Sequence, residues 1–374
     1  MLPCPYGRES ALIDVVRQPS RNGARRVTAT DVARPAVTLE QVATLAGVSR
    51  ATASRVVNRS PKVSAEVRRS VESAIDRLGY VPNRAARSLV TRRSDSIGVV
   101  ITEPSGRLFA DPFFPRLLRG ISAELAARDL QLVLLMPGSP RETEQMEGYL
   151  TAGHVDGALL VSLHGDDPLP GRLAARGIPI VVGGRPPATA LVSYVDVDNR
   201  QGARSAVEHL AGLGRRRVAT ISGPTDMAVG LDRLAGYKDG IHAAGLDRDP
   251  ALVATGDFSQ EGGARAMRAL LAARPDLDAV FAASDLMAAG ALQALREAGR
   301  RVPSDVAVVG YDDSPIAEMT DPPLTSVRQP IEEMGAEMSR LLVAVASQPD
   351  AAPRQVILAT RLVGRESSTG ESGR

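Results

Sequence analysis

Residues 38–58 read Thr-Leu-Glu-Gln-Val-Ala-Thr-Leu-Ala-Gly-Val-Ser-Arg-Ala-Thr-Ala-Ser-Arg-Val-Val-Asn, a segment with little conformational choice. Leu39, Val42, Ala43 and Ala46 recur at i, i+3, i+4 and i+7, so they line one face of a short helix that Thr38 is placed to cap. Gly47 ends that helix, because glycine enters the left-handed region without steric cost. Ser49 is placed to cap a second helix on which Ala53, Val56 and Val57 face inward, leaving Arg50, Ala51, Ser54 and Arg55 for a partner. Two short helices across a tight turn, the second with outward Arg, form a helix-turn-helix that reads DNA. The bland alternative is a solvated helical hairpin.

Charge favours the DNA reading. Residues 37–93 hold eleven Lys or Arg against four acids, a net of +7, and residues 1–36 hold six against three, a net of +3. The whole chain is only +2, so the remainder carries −8. A basic head on an acidic body marks one module that meets phosphate and another that does not.

A third helix is expected over residues 65–78, capped by Ser64 and stopped by Gly79, with Val67, Val71, Ala74, Ile75 and Leu78 on one face. Beyond it Pro82 forbids continuation, and Asn83 can cap a helix of only about two turns, which is marginal alone in water. From residue 94 the pattern changes. Apolar strands are legible at 96–101, 131–135, 157–161, 178–182, 218–222, 252–255, 279–282 and 306–311, with amphipathic helices at 116–128, 200–213, 231–244, 261–273 and 285–298. Such alternation predicts parallel sheets covered by helices on both faces, and 374 residues leave room for two of them.

Other classes find little support. Lys62 and Lys238 are the only lysines and neither follows a glycine, so a phosphate-binding Gly-Lys-Ser/Thr loop is excluded. His154, His164, His209 and His242 are scattered, and the single Cys4 can build neither a disulfide nor a metal centre. With no nucleophile elbow, an enzyme would have to rely on carboxylates such as Asp285 or Asp312 without a recognisable partner. Neither catalysis, a metal nor a cofactor is expected. No apolar run spans a bilayer and residues 1–36 lack the apolar core of a secretory signal, so the expected location is the cytoplasm.

The order Thr-Leu-x-x-Val-Ala-x-x-Ala-Gly-Val-Ser, then Ser-Arg-Val-Val-Asn and Leu-Gly-Tyr-x-Pro-Asn-Arg-Ala-Ala-Arg-Ser-Leu, resembles the head and hinge of the lactose-repressor (LacI/GalR) family of bacterial transcription factors. Later segments continue the likeness to about Glu366, among them Asp-Pro-Phe-Phe at 111–114, Arg-Leu-Ala-Gly-Tyr at 233–237 and Val-Gly-Tyr-Asp-Asp at 309–313. The resemblance implies a disordered extension over 1–36, an all-α helix-turn-helix domain over 37–81 and a hinge helix over 82–93. An α/β two-lobed body like type I periplasmic binding proteins follows over 94–366, and then a disordered tail over 367–374. One lobe would take about 95–196 and 327–346, the other about 197–325 and 354–366.

Carried over residue by residue, Arg50, Ala51 and Arg55 occupy positions that reach base edges, where Arg suits guanine and Ala a thymine methyl. Thr38, Leu39, Ser49, Thr52, Ser54, Asn58 and Lys62 belong to the same interface as capping, supporting or phosphate-positioning groups, joined by Asn83 and Arg84 from the hinge. Leu89 matches the hinge leucine that wedges into the minor groove, or else packs as an ordinary helix residue. Asp111, Phe113, Phe114, Arg185, Arg233, Phe258, Ser284, Asp312 and Gln329 are the expected effector-binding residues between the lobes. The bland alternatives are Phe114 as plain core and Asp312 as a residue serving the turn it begins. The chain departs from the family pattern with Asp111 and Ser284 where Asn is common, and with Gly184 where Asp is frequent.

The implied protein is a homodimer on a pseudo-palindromic operator, a repressor of carbohydrate genes governed by a small-molecule effector. A sugar is the first effector class and a nucleobase or nucleoside the second. Residues 367–374 carry no leucine repeat for a tetramer. The body alone would also suit a solute receptor without DNA function. The basic head decides against that.

Overall fold

The computed structural model describes residues 37–58, 60–81, 93–186, 190–348 and 350–369. Residues 1–36, most of the expected hinge over 82–93 and residues 370–374 lie outside that range. The chain divides into two compact units, residues 1–83 and 84–374.

In the first unit, helices α1 (Leu39–Ala46), α2 (Arg50–Val57) and α3 (Ala65–Leu78) form as the caps dictate. Thr38 and Gln41 cap reciprocally: Gln41 N–H donates to Thr38 Oγ1 (3.4 Å) and Thr38 N–H to Gln41 Oε1 (2.9 Å). A box of this kind stabilises a helix start by about 1 kcal/mol. Gly47 closes α1 at φ 66°. Val42, Ala43, Ala53, Val56, Val71 and Ala74 make the buried core, while Val57 is only half-buried. Ser70 Oγ donates to Ala46 O (3.1 Å), tying α3 to the end of α1.

The second unit holds two six-stranded sheets. The first contains β1 (Ser96–Ile101), β2 (Gln131–Leu135), β3 (Ala158–Val161), β4 (Ile180–Gly183) and β5 (Ser193–Val197). The second contains β6 (Val218–Ser222), β7 (Val253–Thr255), β8 (Ala279–Ala282), β9 (Ala307–Asp312) and β10 (Thr325–Arg328). Later, β11 (Gln355–Leu358) joins the edge of the first sheet and β12 (Arg361–Val363) the edge of the second. The orders are β11-β5-β4-β3-β1-β2 and β12-β10-β9-β8-β6-β7, and every pair is parallel except β10 with β12. Both are doubly wound, with the winding reversing between β1 and β3 and between β6 and β8. Such switch points are where ligands of this architecture sit.

Two expected boundaries are corrected. Residues 354–366 do not all belong to the second lobe: Gln355–Leu358 pairs with β5, so the last crossing falls between Leu358 and Arg361 rather than soon after Ala346. The exposed-then-half-buried alternation of this edge strand gave no strong apolar run. The tail expected to be disordered from 367 is ordered through Thr369. Ser367 and Ser368 are buried because their hydroxyls meet strand backbone and side chains: Ser367 Oγ donates to Val308 O (2.6 Å), and Ser368 Oγ lies 2.7 Å from Thr325 Oγ1.

In the first lobe, helices Phe113–Ala126 and Ile331–Ser347 cross at close range through Gly120 and Gly335. A Cβ on Gly120 would collide with Glu332 O, and one on Gly335 with Leu117 O. That contact aligns the helix that starts at Phe113 with the one that follows Gln329, and both elements border the cleft.

Candidate functional site

On the head, α2 presents Arg50 and Ala51 exposed in its first turn and Arg55 exposed in its last, with Ser54 half-buried between them. Ser49 Oγ caps α2 by accepting from Thr52 N (3.1 Å) and lies 2.9 Å from Thr52 Oγ1. Asn58 Nδ2 donates to Ser54 Oγ (3.3 Å), Lys62 is exposed in the turn before α3, and Leu39 packs half-buried against the head core. The turn sequence gave no sign that Glu40 would pair with Arg50 at 2.5 Å. Asn83, Arg84 and Leu89 lie outside the described residues.

In the body, all nine expected effector residues border one cavity between the lobes. Its walls are the C-terminal ends of β3, β4, β8, β9 and β10 and the segments after β1 and β6. Phe113 and Phe258 supply aromatic surface from opposite lobes. Phe114 meets Phe113 edge-on at 5.3 Å but is 1% exposed, so it serves mainly as first-lobe core. Ser284 Oγ accepts from Met287 N (3.2 Å), capping the helix after β8, and Asp111 Oδ1 accepts from Phe113 N (2.9 Å).

Arg233 organises the polar end. It is 4% exposed, and a buried cation must be fully partnered. Its Nε donates to Asn199 Oδ1 (2.9 Å), its Nη1 to Ala283 O (2.6 Å) and, at 3.5 Å, to Asp312 Oδ1, while its guanidinium carbon lies 3.7 Å from the Tyr311 ring centre. Gln329 Nε2 donates to the same Asp312 oxygen (2.6 Å). Burial pushes the Asp312 carboxyl well above its ordinary range, with Arg233 pulling the other way. Asp196 holds Asn199 Nδ2 (2.9 Å) and Arg185 N (3.1 Å), and burial raises it to about 6. The Asp285 side chain belongs to the scaffold, accepting from Ser326 Oγ (2.6 Å) and Ser314 N (2.7 Å).

The lobes also touch around the cavity. Arg185 pairs with Asp232 (2.6 Å), His164 with Asp226 (2.9 Å), and Gly165 N–H donates to Asp226 O (2.7 Å). Arg116, held by Glu332 through two bonds of 2.9 Å, donates to Asp313 O (3.3 Å). Among the described residues no cluster of His, Cys, Asp or Glu could hold a metal, and no helix is long and apolar enough to cross a membrane.

These two sites have known counterparts. Residues 38–83 match the model of bacterial regulatory proteins, lacI family, and residues 207–368 match a periplasmic binding protein-like domain. Over 332 residues the chain is 53% identical to the HTH-type transcriptional regulator CelR of Thermobifida fusca, a match covering 88% of this chain and 98% of the relative. The chain belongs to the LacI family.

As a LacI-family member it is a DNA-binding transcriptional regulator and not an enzyme. It is similar to the structure of a transcriptional regulator CelR–cellobiose complex, with a TM-score of 0.71 and 51% identity over 88% of this chain and 99% of that one. The lac repressor dimer bound to operator and the anti-inducer ONPF aligns with a TM-score of 0.78 at 28% identity, over 89% and 99%. In this LacI-family body the residues missed from sequence are Glu103, Arg107, Ser162, His164, Asp226 and Asp232. Except for the Glu103–Arg107 pair at i, i+4, their partners stand tens of residues away, so spacing carried no signal for them. Asp196 and Asn199 were visible only as a lobe crossing and a motif.

Proposed function

We propose that this regulator represses carbohydrate uptake or breakdown genes, binding a pseudo-palindromic operator as a homodimer under control of a neutral saccharide in the interlobe cavity. The observation that carries the effector class is the charge balance of the cavity wall. Each lining arginine already faces a carboxylate: Arg107 with Glu103, Arg185 with Asp232, Arg233 with Asp312. A phosphorylated ligand needs an uncommitted cation. Hydroxyls need mixed donors and acceptors beside apolar ring faces, which Asn199, Asp312, Gln329, Phe113 and Phe258 supply. Cellobiose is the first candidate, being the ligand of the CelR complex to which the chain is similar.

In this reading Arg50 and Arg55 contact guanine edges, Ala51 a thymine methyl, and Thr38, Ser49, Thr52, Ser54, Asn58 and Lys62 hold register on phosphates. Asn83, Arg84 and Leu89 act from the hinge, Leu89 as the wedge at the operator centre. Asp111, Arg185 and Ser284 complete the effector set. A saccharide that releases DNA must bind the DNA complex more weakly than the free protein.

The test is fluorescence anisotropy of the full chain on duplexes drawn from upstream of its neighbouring genes, with cellobiose, glucose, ribose and cytidine. A steep loss of affinity with salt and a shift produced by a saccharide are expected. A shift produced by cytidine alone, or no preference over random DNA, would sink the proposal.

A further inference from the structure

Besides the Arg233 cluster, a second hydrogen-bonded polar network reaches the cavity. Glu103, buried in the segment after β1, accepts through Oε1 alone from Arg107 Nη1 (2.7 Å), Ser162 Oγ (2.5 Å) and His164 Nε2 (3.0 Å). His164 then reaches across the cleft to Asp226, next to the cavity-lining Met227. Arg107 and Ser162 are the members that border the cavity, and Arg107 is the one that carries charge. Its guanidinium carbon lies 5.1 Å from the centre of the Phe258 ring of the other lobe, and its Nε–H is buried with no acceptor. Buried donors without acceptors are rare in folded proteins. Glu103 satisfies Nη1, and Nε is left for an acceptor from outside the chain, which a ligand in the cavity can supply.

We propose that Arg107 is a specificity-determining residue of this cavity, donating its Nε–H to an oxygen of the bound saccharide while Glu103 links it to the His164–Asp226 bridge between the lobes. The role presupposes the saccharide effector proposed above and deepens it by naming the contact that demands an acceptor oxygen. Both Arg107–Phe258 and His164–Asp226 join the lobes, so a ligand that engages Arg107 favours their closed arrangement.

Calorimetric titration of the full chain tests this, using cellobiose, its monodeoxy analogues and its sulfur-linked analogue on the parent, Arg107→Lys and Arg107→Met. Lysine keeps the charge beside Glu103 but lacks the planar Nε donor. Arg107→Lys should keep the ligand-free thermal midpoint, and both variants should lose about tenfold to a hundredfold in cellobiose affinity, the range for one charged hydrogen bond. One analogue lacking a single acceptor should weaken the parent by the same factor and leave Arg107→Met unaffected. Variants that bind like the parent, or analogue losses that persist in full in Arg107→Met, overturn the role of Arg107 and leave the saccharide effector standing. A parent that binds no saccharide in the set overturns both.

Discussion

Three residues of the cavity wall, Ser162 at φ 64° among them, hold backbone conformations that side chains ordinarily avoid. Phe258 has φ 62° and Asp312 φ 109°, each costing about 1–3 kcal/mol that the surrounding packing must offset. Gly223 makes the Phe258 conformation possible, because a Cβ there would strike the Phe258 ring. His164 sits among charges instead: Glu103 and Asp226 face it, with Arg107 beyond Glu103. The hydrogen bond to Glu103 raises its pKa to about 9 against a desolvation effect of opposite sign, and Asp226 adds to the rise. The folded value lies above the unfolded 6.5, so the stabilisation is fully present below about pH 6.5 and lost as pH rises through about 9. Because the ring is partly exposed, solvent screens part of the effect. Scanning calorimetry of the parent should show a midpoint falling over that window more steeply than in His164→Gln. Parallel curves would remove the ion bridge as a source of stability.

At the scale of elements, caps and glycines set the geometry. The Thr38–Gln41 box, the Ser49 and Ser64 caps and the left-handed glycines Gly47 and Gly79 place the three head helices with little help from core volume, which is made of small side chains. In the body, the Gly120–Gly335 crossing sets the spacing between the helix bearing Phe113 and the helix behind Gln329. Gly335→Val would force a branched side chain against Leu117 O and Ile121 N, so a destabilisation of about 1–3 kcal/mol or more is expected in urea unfolding of the full chain. An unchanged midpoint would mean that the helices separate without cost.

For the whole regulator, charge and closure are the organising quantities. The basic head suits phosphate, and the acidic body keeps nonspecific DNA contact low. Closure of the lobes rests on side chains from segments far apart in sequence, Arg185 with Asp232 and His164 with Asp226 among them. Arg185 is exposed and Asp232 half-buried, so solvent screens their pair and it adds only about 0–1 kcal/mol to stability, yet it exists only when the lobes meet. Small-angle scattering of ligand-free Arg185→Ala and Asp232→Ala should therefore show equal increases in radius of gyration, and the double variant no further increase. Fully additive increases would argue that the two side chains act separately.

Helix-turn-helix, strand alternation and two-sheet body were legible because they depend on local periodicity, capping and turn chemistry, which nearby residues settle among themselves. Strands rich in polar side chains escaped notice: Thr325–Arg328 is buried because Ser326 meets Asp285 and Thr325 meets Arg365 O, partners 40 or more residues away. The cavity showed the same divide. Each of its nine expected wall residues could be named from motif likeness, but not what each one does there: Phe114 fills core, Ser284 caps a helix, and Asp111 holds a helix start. Beyond the Glu103–Arg107 step at i, i+4, the links from Glu103 to His164 and on to Asp226 had no trace in spacing. Ion pairs and buried acceptors depend on through-space distance across two lobes, and only the closed tertiary arrangement brings those atoms together.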